Sequence, residues 1–121
     1  MQEFKLIVAG GREFIDYDVC ALVLNDLAYN ELSDDAVSLV SGMARGADSL
    51  AVRFAQENNV KLYKFPANWE THGKAAGYMR NTEMAKFADG LLAFWDGKSR
   101  GTRHMIAEAE RQGLRVWIHY Y

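Results

Sequence analysis

The residue types able to do chemistry gather in four stretches of this 121-residue chain: Gly10-Gly11-Arg12, Ser41 to Asp48, Phe65 to Asn81, and Asp96 to Thr102. Three are glycine loops, each with at least one cation. Glycine lets a ligand approach backbone N–H groups closely, and a helix start adds free donors and the positive end of a dipole. Arginine adds bidentate, charge-assisted bonds. The combination suits phosphate or another anion, with Gly10, Gly11, Arg12, Ser41, Gly42, Arg45, Gly46, Asp48, Asp96, Ser99, Gly101 and Thr102 as candidate ligand contacts. Turns need glycine for steric reasons alone, so what signals a ligand is that three such loops coincide. The remaining stretch adds Trp69, Lys74, Arg80 and Asn81, and Trp95 is a second aromatic candidate. A tryptophan can stack on a base, and Lys74 and Arg80 can hold phosphate or ribose oxygens. Arg80, Asp48 and Asp96 are the candidates for catalytic work.

Other chemistries lose support. No G-x-G-x-x-G follows the first apolar run and no G-x-x-x-x-G-K-[ST] occurs, which argues against dinucleotide-fingerprint and P-loop readings. His72, His104 and His119 show no metal-ligand spacing, and the single Cys20 sits among apolar residues as a packed thiol. Neither a metal nor a cofactor is expected.

The elements that must position these residues alternate. Short apolar runs at Phe4–Ala9, Val37–Val40, Lys61–Phe65, Gly90–Trp95 and Arg115–His119 read as strands. Between them, Asp16 N-caps a helix carrying Val19, Leu22, Val23 and Leu27 on one face, and Gly46–Asn58 forms a second helix ended by Asn58-Asn59. Ala75–Phe87 and Thr102–Gln112 form the third and fourth, with Gly113 closing the last. The segment around Trp69 reads as a polar, structureless loop. Alternation of this kind predicts an α/β, Rossmann-like three-layer sandwich, a five-stranded parallel sheet of order 3-2-1-4-5 with about four helices, as one domain over residues 1–121. The switch point then falls between strands 1 and 4, and the glycine loops converge on the carboxyl edge beside it.

Composition agrees with a single packed domain: half of the residues are hydrophobic and a quarter charged. Fourteen Lys+Arg against 16 Asp+Glu give a net charge of −2, which argues against a general nucleic-acid coating protein. The average hides an asymmetry. Arg12, Arg45, Lys74, Arg80, Lys98, Arg100 and Arg103 all fall on the predicted edge or the helix starts beside it. No apolar stretch is long enough to span a membrane, so a soluble, unprocessed cytoplasmic protein is expected, with no membrane partner.

Four pieces, GGREF, SGMARGADSLA, FPANWETHGKAAGYMRNTEM and AFWDGKSRGTRHMI, follow strands 1 to 4 in order. In these the chain resembles the YspA-like (YpsA-related) branch of the Rossmann-like SLOG superfamily. The resemblance implies binding of a nucleotide or nucleotide-derived ligand, and self-association. The aromatic terminal run from Trp117 to Tyr121 could supply a homodimer contact. Met43 stands where the branch usually has a second glycine, and Tyr78 where it often has proline. The superfamily's enzymes are phosphoribohydrolases that pair Arg-Lys-x-x-Met with P-G-G-x-G-T-x-x-E. Here Arg80 to Met84 matches the first with Asn81 for lysine, and Gly101-Thr102 is what remains of the second. The position of their catalytic glutamate holds Met105, and Glu108 lies one turn further on. The resemblance therefore leaves three readings: a binding or sensing domain, a hydrolase of an N-glycosidic bond using Asp48 or Asp96, and a single-strand nucleic-acid module.

Overall fold

The computed structural model describes residues 2–121. Strands β1 (Gln2–Gly10), β2 (Asp35–Ser41), β3 (Leu62–Lys64), β4 (Gly90–Trp95) and β5 (Arg115–Tyr120) form one sheet in the order 3-2-1-4-5, all neighbours parallel. Four main helices, α1 (Tyr17–Asn30), α2 (Ala47–Glu57), α4 (Ala76–Phe87) and α5 (Arg100–Arg111), make the crossovers; α3 (Trp69–His72) is a single turn. The expected architecture holds, with the switch point between β1 and β4. Among the described residues, no helix is long and apolar enough to cross a membrane.

The buried stretches Leu6–Ala9 of β1 and Leu91–Phe94 of β4 are apolar at every position because both faces are covered. Leu6, Val8, Leu92 and Phe94 point to α1 and α2, where Cys20, Leu24, Leu27, Ala51 and Phe54 meet them. Their neighbours Ile7, Ala9, Leu91 and Ala93 point to the opposite face, under Met84 and Ala85 of α4 and Met105, Ile106 and Ala109 of α5. Period-two alternation thus divides one apolar strand between two cores.

Helix ends follow local chemistry. Asp16 accepts the Val19 N–H at 3.1 Å and caps α1; Asn59, at φ 53°, closes α2; Gly113, at φ 75°, closes α5. Two expectations need correction. The buried face of α1 is Cys20, Leu24 and Leu27, while Leu22 is 70% exposed. Four consecutive apolar residues, Ala21 to Leu24, offer several faces, and packing on the sheet selects one. The Trp69 segment is structured: Asn68 accepts the Thr71 N–H at 3.1 Å, starting α3, and a 3₁₀ turn at Gly73–Ala75 leads into α4.

At the end of β1 the packing leaves no space for a side chain. A Cβ on Gly10 would press on the Phe94 carbonyl and lie 2.9 Å from the Cβ atoms of Ala47 and Phe94. Gly10→Ala is expected to lower the unfolding free energy by roughly 1–3 kcal/mol through overpacking. Urea unfolding checks this, and an unchanged midpoint would contradict so close an approach.

Candidate functional site

Three loops are locked together at the carboxyl edge of the sheet. The Gly11 N–H donates to the Phe94 carbonyl at 3.1 Å, tying the β1 loop to β4. The Gly11 carbonyl accepts from Phe14 N–H (3.2 Å) and Ala47 N–H (3.3 Å), tying it to α2. Gly46 packs against Gly11 and Arg12 so closely that a side chain there would collide with backbone. Inside the next loop the Ser41 hydroxyl donates to the Asp48 carbonyl at 3.2 Å and accepts the Met43 N–H at 3.1 Å. The Ala44 N–H donates to the Asp48 carboxylate at 3.3 Å.

Over this edge lies a cavity of about 490 Å³. Its walls bring together Gly10, Gly11 and Arg12 of the first loop, Asp48 of α2, Trp69 and Lys74 of the segment after β3, and Arg80 and Asn81 of α4. Asp96, Ser99, Gly101 and Thr102 complete it from the β4 side. Gly42 and Arg45 line an adjoining recess that shares Arg12, Trp69 and Arg80 with the cavity. Ser41, Gly46 and Trp95 lie outside both: the first two build the loops, and the Trp95 Nε1–H donates to the Ser99 carbonyl at 3.1 Å beneath Arg103 and Tyr120. Of the seven edge cations, Arg12, Lys74 and Arg80 reach the cavity, whereas Lys98, Arg100 and Arg103 do not line it.

Its donors and charges are of distinct kinds. The first backbone bond of α5 runs from Arg103 N–H to the Ser99 carbonyl, and no side chain caps the helix, so the N–H groups of Arg100, Gly101 and Thr102 precede it without helical partners. Arg80 donates through Nη1 to the Gly42 carbonyl and through Nε to Asn81 Oδ1 at 3.1 Å. Burial holds its guanidinium below the usual value, with Asp48 pulling the other way and Arg12 adding to the depression.

The two aspartates differ. Asp96 accepts the Lys98 and Ser99 N–H groups at 2.8 Å each, and these bonds hold its carboxyl below the usual range as a fixed anion. Asp48 is 5% exposed, and burial pushes its carboxyl up to about 6 despite the opposing fields of Arg80 and Arg12. Of the pair, Asp48 has the protonation balance of a group that can exchange a proton near neutrality.

A lining residue at the far end of the chain escapes a reading of the sequence. Tyr121 reaches the cavity by following β5, whose pairing Trp95↔Tyr120 carries it to the same edge, where it packs on Phe14. Met84 and Met105 form apolar floor, and Met105 lies one turn beyond Thr102 on the same face of α5. Glu108 is turned away, buried between α4 and α5 with Thr82, His104 and Arg111 around it. Among the described residues, no group of three or more His, Cys, Asp or Glu is arranged to hold a metal.

The fold and site define a Rossmann-like α/β domain with a cavity lined by Arg12, Lys74 and Arg80 at its switch point. The chain belongs to the YspA, cpYpsA-related SLOG family, whose family model matches residues 4–72. The Gene 61 protein of Mycobacterium phage D29 is 40% identical over 118 residues, covering 93% of each chain. Membership points to nucleotide-related ligand binding or processing in general.

Because the folded protein holds the Asp48 proton more tightly than the unfolded chain does, this group's stabilising contribution is complete below 3.8 and is lost as the pH rises through about 6. Asp48→Asn removes that loss. At pH 7.5 the variant should be more stable than the wild type by roughly 1–3 kcal/mol, the free-energy equivalent of a carboxyl raised from 3.8 to about 6. The gap should close on acidification. Paired urea titrations across pH check it, and a pH-independent difference would contradict the assignment.

Proposed function

We propose that the protein binds a nucleotide or nucleotide-derived small molecule in the cavity at the switch point, as a sensing or processing module. One observation carries the reading: the uncapped start of α5 and the cations Arg12, Lys74 and Arg80 share one cavity with the buried Asp48 and the half-exposed Trp69. The α5 amides and the cations suit phosphate oxygens. Asp48, buried and with few protein partners, suits a ligand hydroxyl, and the Trp69 ring at the mouth offers a stacking face. A volume of about 490 Å³ lies within the range of small-molecule sites. Family membership supports the same class of ligand.

Isothermal titration against mononucleotides, cyclic nucleotides and ADP-ribose tests the reading, with at least one expected to bind. Arg80→Ala should weaken that binding roughly tenfold to a hundredfold, the range for losing a charged hydrogen bond. Silence across the whole panel would sink the proposal.

The raised carboxyl of Asp48 favours a second reading, hydrolysis of an N-glycosidic bond in a nucleoside monophosphate-like substrate. With Met105 at the position of the relatives' glutamate, Asp48 would be the acid or base. Free base released from the nucleotide panel, and abolished by Asp48→Asn, is the expected result. Release that persists when both Asp48 and Asp96 are replaced by asparagine would rule this assignment out.

A further inference from the structure

Arg80 is held on the cavity through a chain of side chains that ends well outside it. Its Nε lies 3.1 Å from Asn81 Oδ1. Asn81 is 6% exposed, and its amide nitrogen lies 3.3 Å from the Gly101 carbonyl and 3.2 Å from His104 Nδ1. On the far side of the ring, His104 Nε2 is 3.3 Å from Glu108 Oε1.

The donor and acceptor roles follow from the ends inward. Arginine Nε–H can only donate, and a backbone carbonyl can only accept. Asn81 must therefore turn its oxygen to Arg80 and its nitrogen to Gly101; a flipped amide would set donor against donor at one contact and acceptor against acceptor at the other. The second amide hydrogen then meets His104 Nδ1, which has to be bare. The imidazole proton is left on Nε2, on the side of the ring that faces the Glu108 carboxylate. Glu108 is itself fixed, by the Thr82 hydroxyl at 3.1 Å and by Arg111 Nη1 at 3.0 and 3.2 Å.

A second proton on His104 has no place in this arrangement, because an Nδ1–H would face the Asn81 amide hydrogens. Glu108, from the ring's own helix, and the Tyr78 ring of α4, 4.4 Å away, favour an imidazolium. Asn81 opposes it, and behind Asn81 stands the like charge of Arg80; Arg111 is engaged by Glu108. Protonation therefore strengthens one side of the ring while it breaks the other.

We infer that Asn81 and His104 are positioning residues that fix the Nε side of Arg80 only while His104 carries a single proton, so that acidification breaks the Nε–H hydrogen bond and leaves the guanidinium held by its Nη1 bond to the Gly42 carbonyl. The consequence for ligand affinity rests on the nucleotide-binding reading above. The coupling itself belongs to the free chain and is tested there.

The experiment is nuclear magnetic resonance of the full chain, ¹⁵N-labelled and without ligand. Long-range correlations of the His104 ring at neutral pH should give the Nε2–H tautomer, and the Nδ1–H tautomer would overturn the inference. On acidification the Arg80 Nε–H signal should lose its protection from exchange at the same midpoint as the His104 ring titrates, while β1 amides stay unchanged and exclude unfolding. An Arg80 signal indifferent to that midpoint would also overturn it. In Asn81→Asp the new carboxylate can accept from Arg80 and from an Nδ1–H together, so the Arg80 signal should stay protected through the transition. Loss at the wild-type midpoint would count against the mechanism, and if this variant does not fold, the wild-type titration decides. None of these readouts depends on whether any nucleotide binds.

Discussion

The Gly11 peptide is the junction on which the site depends. Its N–H goes to β4 and its carbonyl takes one N–H from its own loop and one from the first residue of α2. Three segments far apart in sequence thereby meet within a few ångströms, with glycines at 10 and 46 because backbone occupies the space where side chains would stand. Once that junction forms, the first turn of α2 is fixed against β1, and Asp48 has no position except the buried one. The electrostatics of the cavity follow from this steric constraint: a carboxyl denied water by the backbone around it, faced by cations from two other elements.

The fold was largely legible in the sequence because the two signals that specify it are local. Short apolar runs separated by amphipathic segments dictate a parallel sheet covered on both faces, and glycine marks where strands end. What stayed hidden depends on packing between elements. The face of α1 was ambiguous because Ala21 to Leu24 are all apolar. The turn at Trp69 was signalled by Asn68 and Gly73, but a stretch rich in polar residues looked like open loop.

The site divides in the same way. Its glycines, arginines and aspartates stand out by type and by place at strand ends. Tyr121 does not, since an aromatic strand end looks like ordinary core, and Met105 stands out only through the family resemblance. The bond between Asn81 and His104 spans 23 positions and two helices, and no spacing rule announces it. Met43 sits between these cases. At φ 63° it occupies the left-handed region that glycine favours, with its side chain 39% exposed beside the adjoining recess. Met43 thus adopts a backbone conformation that glycine takes most easily.

The division of the sheet into two cores gives the molecule a mechanical polarity. The α1–α2 side is packed by the stacked Phe14 and Phe94 rings together with Leu24, Leu27 and Phe54. On the other side Ala9, Met84 and Met105 belong at once to the core and to the floor of the cavity. There an occupant would lie against the core, touching side chains on which α4 and α5 rest. Filling the cavity would complete one hydrophobic layer, whereas the α1–α2 side meets the cavity through Asp48 and Tyr121 rather than through its core, so that opening fluctuations would be damped chiefly on one face of the sheet. Cavity and core share a surface on that face, and a message of occupancy would leave the protein through the stiffness of two helices.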